Sequence, residues 1–191
     1  GGNPPASQAG HSSKRGVCVQ RVPADGILRR FLQFRHFTLF GLVMSLFDVH
    51  AHLTHPNLIA DVDAIVARAQ AAGLTTIISN GLNPADNEAV RSLAQRHPIV
   101  KPAFGLYPVD AVLQAMLAAG ETYPGQRDAW PTAEAIDWVR QHVEEAFAVG
   151  EIGLDGYWVK EGFWPAQDEA FRELVRIAIA ADKPIIIHTR K

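Results

Sequence analysis

Several features are scarce in this sequence, and each scarcity excludes a class of protein. Among 191 residues there is one cysteine, Cys18, so neither an intramolecular disulfide nor a cysteine-ligated zinc site can form. No run of 18 or more apolar residues occurs, which argues against a membrane-spanning helix. Neither sign of charge dominates, since 18 basic and 20 acidic residues give a net charge of −2. The composition is otherwise that of a globular chain of about one domain. We expect a cytoplasmic protein, and nothing in the composition implies a membrane or an obligate protein partner.

The first 43 residues differ from the rest in charge. They carry six basic residues and one acidic residue, whereas residues 44–191 carry 12 basic and 19 acidic ones. Three interpretations are open: a targeting segment with Arg29-Arg30 ahead of an apolar run, a membrane-surface helix, or upstream sequence read in frame before a natural start at Met44. Because regular sequence begins directly after Met44, we expect residues 1–43 to be disordered or foreign to the native protein. Residues 44–191 are then the folded domain.

From residue 46 onward, apolar β-branched runs alternate with segments of helical periodicity. The predicted strands are 46–50, 74–78, 99–104, 148–152 and 184–188. The predicted helices are 58–72, 84–96, 132–147 and 165–181, with Gly73 just past the first and Thr132 as N-cap of the third. A further apolar helical stretch, 109–119, lies in the long segment 108–131. This order predicts parallel strands with right-handed crossovers. No glycine-rich phosphate loop follows the first strand, which favours a (β/α)8 barrel over a doubly wound sheet.

Polar side chains follow three of the predicted strands. His50 and His52 are two residues apart, so in an extended segment they point the same way, above Asp48. Glu151 and His188 come at the ends of the fourth and fifth strands. The carboxyl ends of barrel strands meet at one rim, so we expect these side chains to converge there. Imidazole and carboxylate groups suit divalent metal ions, and a glutamate can bridge two of them.

Each of these residues also has a structural interpretation. The two histidines would then be loop residues, Glu151 would cap a turn, and His188 would be a satisfied core histidine. Arg190 suits a phosphate group through its planar guanidinium, and equally an ion pair with a rim carboxylate. Asp155 is expected to orient a ligand or to cap a turn.

Other polar and aromatic residues near the strand ends are assigned less specific roles. Trp158 and Trp164 fit either stacking on bases or covering the core. Three further histidines are expected to lie outside the site, as loop or solvated residues: His55, His97 and His142.

The motifs resemble those of the TatD family of metal-dependent deoxyribonucleases. The matching segments are FDVHAHL (47–53), GEIGLD (150–155), a helix containing Gln167, and PIIIHTR (184–190). The resemblance covers residues 45–191 and implies an α/β fold of the (β/α)8 TIM-barrel type, acting on DNA phosphodiester bonds with two divalent metal ions (Mg, Mn or Zn).

The resemblance also implies roles for individual residues. His50 and His52 would hold the first metal ion, Glu151 would bridge both ions as the catalytic residue, and His188 would hold the second. Arg190 would bind the DNA substrate.

Two features depart from the family pattern. In Gly105-Leu106-Tyr107-Pro108, tyrosine stands where the family usually has histidine, so we expect Tyr107 either to meet substrate through its hydroxyl or to pack against the rim. The chain also ends at Lys191, just after the fifth predicted strand, whereas such barrels need about 250 residues. A later histidine and a strand-eight aspartate of the family have no counterpart.

The second departure leads us to expect a barrel truncated after about five strands. Such a chain would aggregate and show little activity by itself, while the full-length parent would carry the activity. Two alternatives remain: an amidohydrolase acting on C–N or ester bonds of a small molecule, and an inactive fragment.

Overall fold

The computed structural model describes residues 45–124 and 128–191, and within them strands and helices alternate. The expectations for residues 1–43 and for Cys18 lie outside this part of the chain. The strands are β1 (Leu46–Ala51), β2 (Leu74–Asn80), β3 (Val100–Phe104), β4 (Ala148–Asp155) and β5 (Ile185–Arg190). The α-helices are α1 (Pro56–Ile59), α2 (Val62–Ala71), α3 (Pro84–Arg96), α4 (Leu113–Ala118), α5 (Thr132–His142) and α6 (Trp164–Ala180), and Val143–Glu145 and Glu161–Phe163 form short 3-10 turns.

The five strands form one parallel sheet in the order β1-β2-β3-β4-β5. Each strand therefore pairs with its neighbour in sequence, as in a barrel, whereas a doubly wound sheet reverses its strand order at a switch point. The predicted parallel α/β architecture is confirmed, and the described residues supply five consecutive strands of a (β/α)8-type barrel. All five carboxyl ends lie at the same edge of the sheet.

Helices cover the outer face of the sheet and form the core with it. One apolar cluster joins α2 and α3 to β2 and β3, with Val66, Ile77 and Leu93 among its buried members. A second joins α5 and α6 to β4, through residues such as Ile152 and Leu174. Each such side chain, when removed from water, stabilises the fold by about 1.5–3 kcal/mol. None of the helices in the described part of the chain has the length and apolar character needed to cross a bilayer.

The first predicted helix, 58–72, is wrong in its continuity. The chain forms a four-residue α1 with no buried residue, and α2 then starts afresh at Val62. His55 caps α1 by accepting a hydrogen bond at Nδ1 from the N–H of Asn57, at 3.2 Å. Residues 58–61 are exposed and burial begins at Val62, so burial of side chains does not favour a helix that continues from 58 into α2. The predicted C-terminal glycine is confirmed, because Gly73 has a φ of +94° just past α2.

The helices between residues 109 and 147 are shorter than predicted. The stretch 109–119 is helical only in α4, and the helix predicted over 132–147 ends at His142. Thr132 is not the N-cap of α5: Pro131 occupies that position, and the Thr132 hydroxyl donates instead to the carbonyl of Ala111, at 2.7 Å. This bond fastens the start of α5 to the loop after β3.

Candidate metal centre

His50 and His52 extend from the end of β1 toward the same carboxylate on β4. The Nε2 atoms of His50 and His52 lie 3.5 and 3.1 Å from Oε2 of Glu151. The carboxylate of Asp48 accepts the backbone N–H of His50, at 3.1 Å. The expected convergence of the two imidazoles is therefore present in the structure.

These contacts require a strongly curved sheet. Strands β1 and β4 are three strand steps apart in the sheet order, which in a flat sheet is about 14 Å. Side chains standing upright on such a sheet would not meet, yet His52 and Glu151 are in direct contact. The sheet therefore curls as a barrel wall does and brings distant strand ends to one point.

Glu151 is almost fully buried and divides its two oxygens between different histidines. Oε2 faces His50 and His52, whereas Oε1 lies 2.7 Å from Nδ1 of His188 on β5. Burial raises the pKa of this carboxyl group. The hydrogen bond from His52 and the charges of His52, His50 and His188 lower it by more, so that the net pKa is about 2. Glu151 is therefore a carboxylate throughout the physiological pH range.

The ring of His52 is oriented by the end of β2. Its Nδ1 lies 3.1 Å from the carbonyl oxygen of Asn80, an atom that only accepts hydrogen bonds, so Nδ1 carries a proton and Nε2 faces Glu151. The hydrogen bond to Glu151 raises the pKa of His52, against the opposing effect of burial. A histidine held through one nitrogen by a backbone carbonyl is a common arrangement around metal ions.

His188 is oriented by Asp155 and Tyr107. Its Nε2 lies 3.0 Å from Oδ2 of Asp155, and the Tyr107 hydroxyl donates to the same oxygen at 3.3 Å. The Tyr107 and His188 rings also meet edge to face, with centroids 4.9 Å apart. Because Asp155 accepts from Nε2, the other ring nitrogen, Nδ1, is directed at Glu151. Tyr107 thus packs against the rim, and burial raises the pKa of its phenol.

Asp155 caps a turn, as one of its two expected roles requires, and it also contacts the His188 ring. Its Oδ1 accepts the backbone N–H groups of Tyr157 and Trp158, at 2.9 and 2.8 Å. Its own N–H donates to Oε1 of Gln167, a buried residue of α6, at 3.0 Å. Gln167 also donates from Nε2 to the carbonyl of Pro108, at 3.2 Å. A network of neutral amides and one carboxylate therefore holds the end of β4.

Two glycines permit the close approach of neighbouring strand ends. A Cβ on Gly105 would lie 2.5 Å from the carbonyl oxygen of Glu151, and one on Gly153 would clash with the carbonyl of His188. Gly153 also has a φ of +147°, which favours glycine. Buried Asn87 clamps the first of these loops, donating to the Gly105 carbonyl at 2.9 Å and accepting its N–H at 3.1 Å.

Asn80 and Asn87 were not among the residues expected at the site. Both are fully buried; Asn80 contacts the His52 ring through its backbone carbonyl, whereas Asn87 contacts the backbone of Gly105 through its side chain. Asn87 lies within helix α3, where its sequence neighbourhood carries no sign of this role. A polar residue at the end of an apolar strand, such as Asn80, is a weak signal of the kind that singled out Glu151.

Arg190 lies at the same rim with its guanidinium over the ring of Tyr157, 5.9 Å from the centroid. Within residues 45–124 and 128–191 it forms no ion pair with a carboxylate. Its carbonyl accepts the N–H of Gly156, at 2.7 Å, which joins the end of β5 to the turn after β4.

The remaining aromatic candidates are partly structural. Trp158 is half-buried and packs edge to face on Tyr123, with centroids 5.5 Å apart. Trp164 donates from Nε1 to the carbonyl of Val159, at 2.8 Å, and so fixes the start of α6. 

Three other histidines among the described residues place no ring nitrogen at Glu151, although the N–H of His55 donates to the carbonyl of His52, at 3.0 Å. His55 caps α1, His97 pairs with Asp63 at 2.7 Å, and His142 stacks on Trp138 with centroids 4.1 Å apart. His97 and His142 are partly exposed near helix ends, as expected, and each also has a specific partner.

The residues at the rim fit a divalent cation. One donor atom from each of His50, His52 and Glu151 lies within 4.8 Å of the others. Ligands about 2 Å from one cation are about 3–4 Å from each other, so small side-chain adjustments complete the geometry. Two imidazoles and a carboxylate are also a donor set that divalent transition metals accept.

Fold and donor set together are those expected of a metal-binding barrel protein, in which the functional site lies at the carboxyl ends of the strands. The family model described as TatD related DNase matches residues 47–191. The chain belongs to this family.

Curated relatives agree with this assignment. An uncharacterized metal-dependent hydrolase, YabD, from Bacillus subtilis is 29% identical over 148 residues, which are 76% of this chain and 51% of the relative. The 3'-5' ssDNA/RNA exonuclease TatD of Enterobacter lignolyticus is 32% identical over 146 residues, 76% of this chain and 50% of the relative. This chain thus spans about half the length of the curated relatives it matches.

A solved structure shows the same fold. The crystal structure of YJJV, a TatD homologue from Escherichia coli K12, aligns with a TM-score of 0.62 and 25% sequence identity, over 78% of this chain and 52% of that one. A TatD family hydrolase from Entamoeba histolytica aligns with a TM-score of 0.58 at 20% identity.

Proposed function

We propose that this chain contributes the first part of a two-metal active site that hydrolyses phosphodiester bonds of DNA. The observation that carries the proposal is the division of the Glu151 carboxylate, with one oxygen toward His50 and His52 and the other toward His188. His50 and His52 would hold one ion, Glu151 would bridge, and His188 would hold the second.

Divalent ions at this position, of magnesium, manganese or zinc, would polarise a phosphoryl oxygen as Lewis acids and would lower the pKa of bound water. The protein's own residues orient the ligand atoms and keep the carboxylate ionised. The carbonyl of Asn80 orients His52, Asp155 orients His188, and the low pKa of Glu151 keeps that group charged. Arg190, with its charge free of any described carboxylate, would bind a phosphate of the substrate.

The choice of nucleic acid as substrate is supported by the family and by relatives named as ssDNA/RNA exonucleases. Cytoplasmic location and independence from a protein partner stay predictions from sequence.

The test compares charge-neutralising variants in the full natural reading frame that contains these 191 residues. Glu151→Gln keeps the shape of the side chain but removes its charge, and Glu144→Gln makes the same change at an exposed position. We expect Glu151→Gln to reduce hydrolysis of single-stranded DNA more than about a hundredfold and to lower the bound metal measured by elemental analysis. Glu144→Gln should change neither.

Two results would contradict the proposal. One is full metal content and activity in Glu151→Gln. The other is a wild-type protein that hydrolyses a cyclic amide but no polynucleotide, which would assign the site to amide chemistry.

A further inference from the structure

We propose that Tyr157 forms a stacking subsite for an unpaired base beside the metal centre, with Arg190 binding the adjacent phosphate. The proposal rests on the proposed nuclease function and specifies which part of the substrate is recognised. Nucleotides alternate a planar aromatic group with an anionic one, and the rim offers an aromatic ring and a guanidinium side by side.

The Tyr157 ring is exposed and yet held in place. It is 63% exposed, it forms a T-shaped pair with the Trp158 ring at 90° with centroids 4.8 Å apart, and the guanidinium of Arg190 lies over the ring. An aromatic ring fixed before binding loses little conformational freedom when a ligand stacks on it. The exposed part of the ring is the surface that we assign to a base.

The turn that carries Tyr157 is anchored to the metal centre itself. Asp155 holds the N–H groups of Tyr157 and Trp158 through Oδ1 and contacts His188 through Oδ2. A single carboxylate therefore separates the backbone of this platform from a proposed metal ligand. Behind it, Trp158 packs on Tyr123, and neighbouring Val159 is buried in the same apolar cluster. 

Arg190 is placed to bind the phosphate group next to the stacked base. It follows His188 by two residues on β5, so the two side chains lie on the same side of the strand. No described carboxylate neutralises its charge, which leaves the guanidinium available to a phosphate group. A base that is paired in a duplex has both faces covered by its neighbours, so a subsite of this kind selects single strands.

The experiment measures binding of a fluorescein-labelled oligothymidylate by fluorescence anisotropy in EDTA, using the full natural reading frame. A second oligonucleotide carries abasic sites in place of its terminal nucleosides. We expect Tyr157→Ala to weaken binding of the normal strand about tenfold, because base stacking on an aromatic side chain contributes about 1–3 kcal/mol. Tyr157→Phe should bind within about twofold of wild type, and the abasic strand should bind wild type and Tyr157→Ala equally.

Two controls separate stacking from charge and from loss of surface. Phe147→Ala removes an exposed aromatic ring just before β4, at the opposite end of that strand, and should leave binding unchanged. Arg190→Ala should reduce the slope of log affinity against log salt by about 0.7, whereas Tyr157→Ala should leave that slope intact.

The subsite would be overturned if Tyr157→Ala lost equal affinity for the normal and abasic strands, or if it lost no affinity for the normal strand. Hydrolysis assays with added metal keep the two proposals apart. DNA cleavage without dependence on Tyr157 rejects the subsite alone. Tyr157-dependent binding without cleavage rejects the nuclease function alone.

Discussion

At the scale of single residues, the buried carboxylate of Glu151 and the imidazoles around it control each other's ionisation. Pairing holds the pKa of Glu151 down to about 2 and raises the pKa of His52 above 6.5. In the unfolded chain both groups return toward ordinary values. Folding stability in the absence of metal must therefore depend on pH.

The pH dependence of stability follows from the raised pKa of His52 and the lowered pKa of Glu151. The His52 contribution is complete below about 6.5 and is lost as pH rises through the higher folded value, and the Glu151 contribution is present above about 4.5 and is lost as pH falls toward 2. We expect Glu151→Gln to destabilise the metal-free protein more at pH 5.5 than at pH 8.5, by urea unfolding in EDTA. A difference that grows toward pH 8.5 would contradict this pairing, and Glu144→Gln serves as the control.

A second prediction concerns Tyr107, because its hydroxyl donates to the carboxylate of Asp155 that contacts His188. Tyr107→Phe keeps the ring contact but removes this hydrogen bond. We expect it to weaken metal binding about tenfold by calorimetry, as loss of an outer partner of a metal ligand does, with about 1 kcal/mol of lost stability. Tyr157→Phe, which loses an exposed hydroxyl, should leave metal affinity unchanged. Equal affinity in both variants would show that Tyr107 is merely packed.

The convergence of His50, His52, Glu151 and His188 was predictable because it needs only strand direction and parallel pairing. The partners of Asn80 and Tyr107 were not, since they depend on which loops meet across the rim. Their ligand and catalytic roles remain predictions. The position of a residue along a strand predicts whether it lies at the carboxyl edge of the sheet. No local sequence pattern predicts which loops will contact each other.

At the scale of elements, helix α6 holds the end of β4 through one residue. Gln167 makes hydrogen bonds to the N–H of Asp155 and to the carbonyl of Pro108. Gln167→Met fills similar space without these bonds and leaves buried backbone groups unpaired. We expect a loss of about 2 kcal/mol in the free energy of unfolding, measured in urea.

The neighbouring Asp168 provides the matched control for that prediction. It is partly exposed and pairs with Arg172 one turn along α6, at 2.7 Å. Asp168→Ala should cost less than about 0.5 kcal/mol. Similar losses in both variants would mean that Gln167 is no more important than a surface residue.

The strands and the long helices followed from periodicity, while helix interruptions did not. Residues 58–72 have a continuous apolar period, but the helix is interrupted before Val62, and α1 contains no buried residue. The Thr132 hydroxyl is likewise a normal cap in sequence, and a tertiary partner, the carbonyl of Ala111, takes it instead. Local propensity decides such points only where tertiary contacts do not compete.

At the scale of the whole molecule, strands β1 and β5 are the two ends of the sheet among the described residues. Both expose apolar side chains, including Phe47, Val49 and Ile187. Unpaired strand edges with apolar side chains promote association between chains. 

We therefore expect the 191-residue chain, expressed by itself, to self-associate at about 50 µM when examined by light scattering after size exclusion. Val49→Lys should reduce association, whereas Leu117→Lys, at an exposed position of α4, should not. A monodisperse monomer would show that the ends of the sheet are protected.

The curl of the sheet has a mechanical consequence. His52 and Glu151 come from strands that share no backbone hydrogen bond, and nearly one hundred residues of chain run between them. An ion ligated by both would cross-link the first βα unit to the fourth, so that unrolling the wall would require breaking coordination bonds as well as peptide hydrogen bonds. The same atoms proposed for chemistry would thereby brace the curvature on which their own meeting depends.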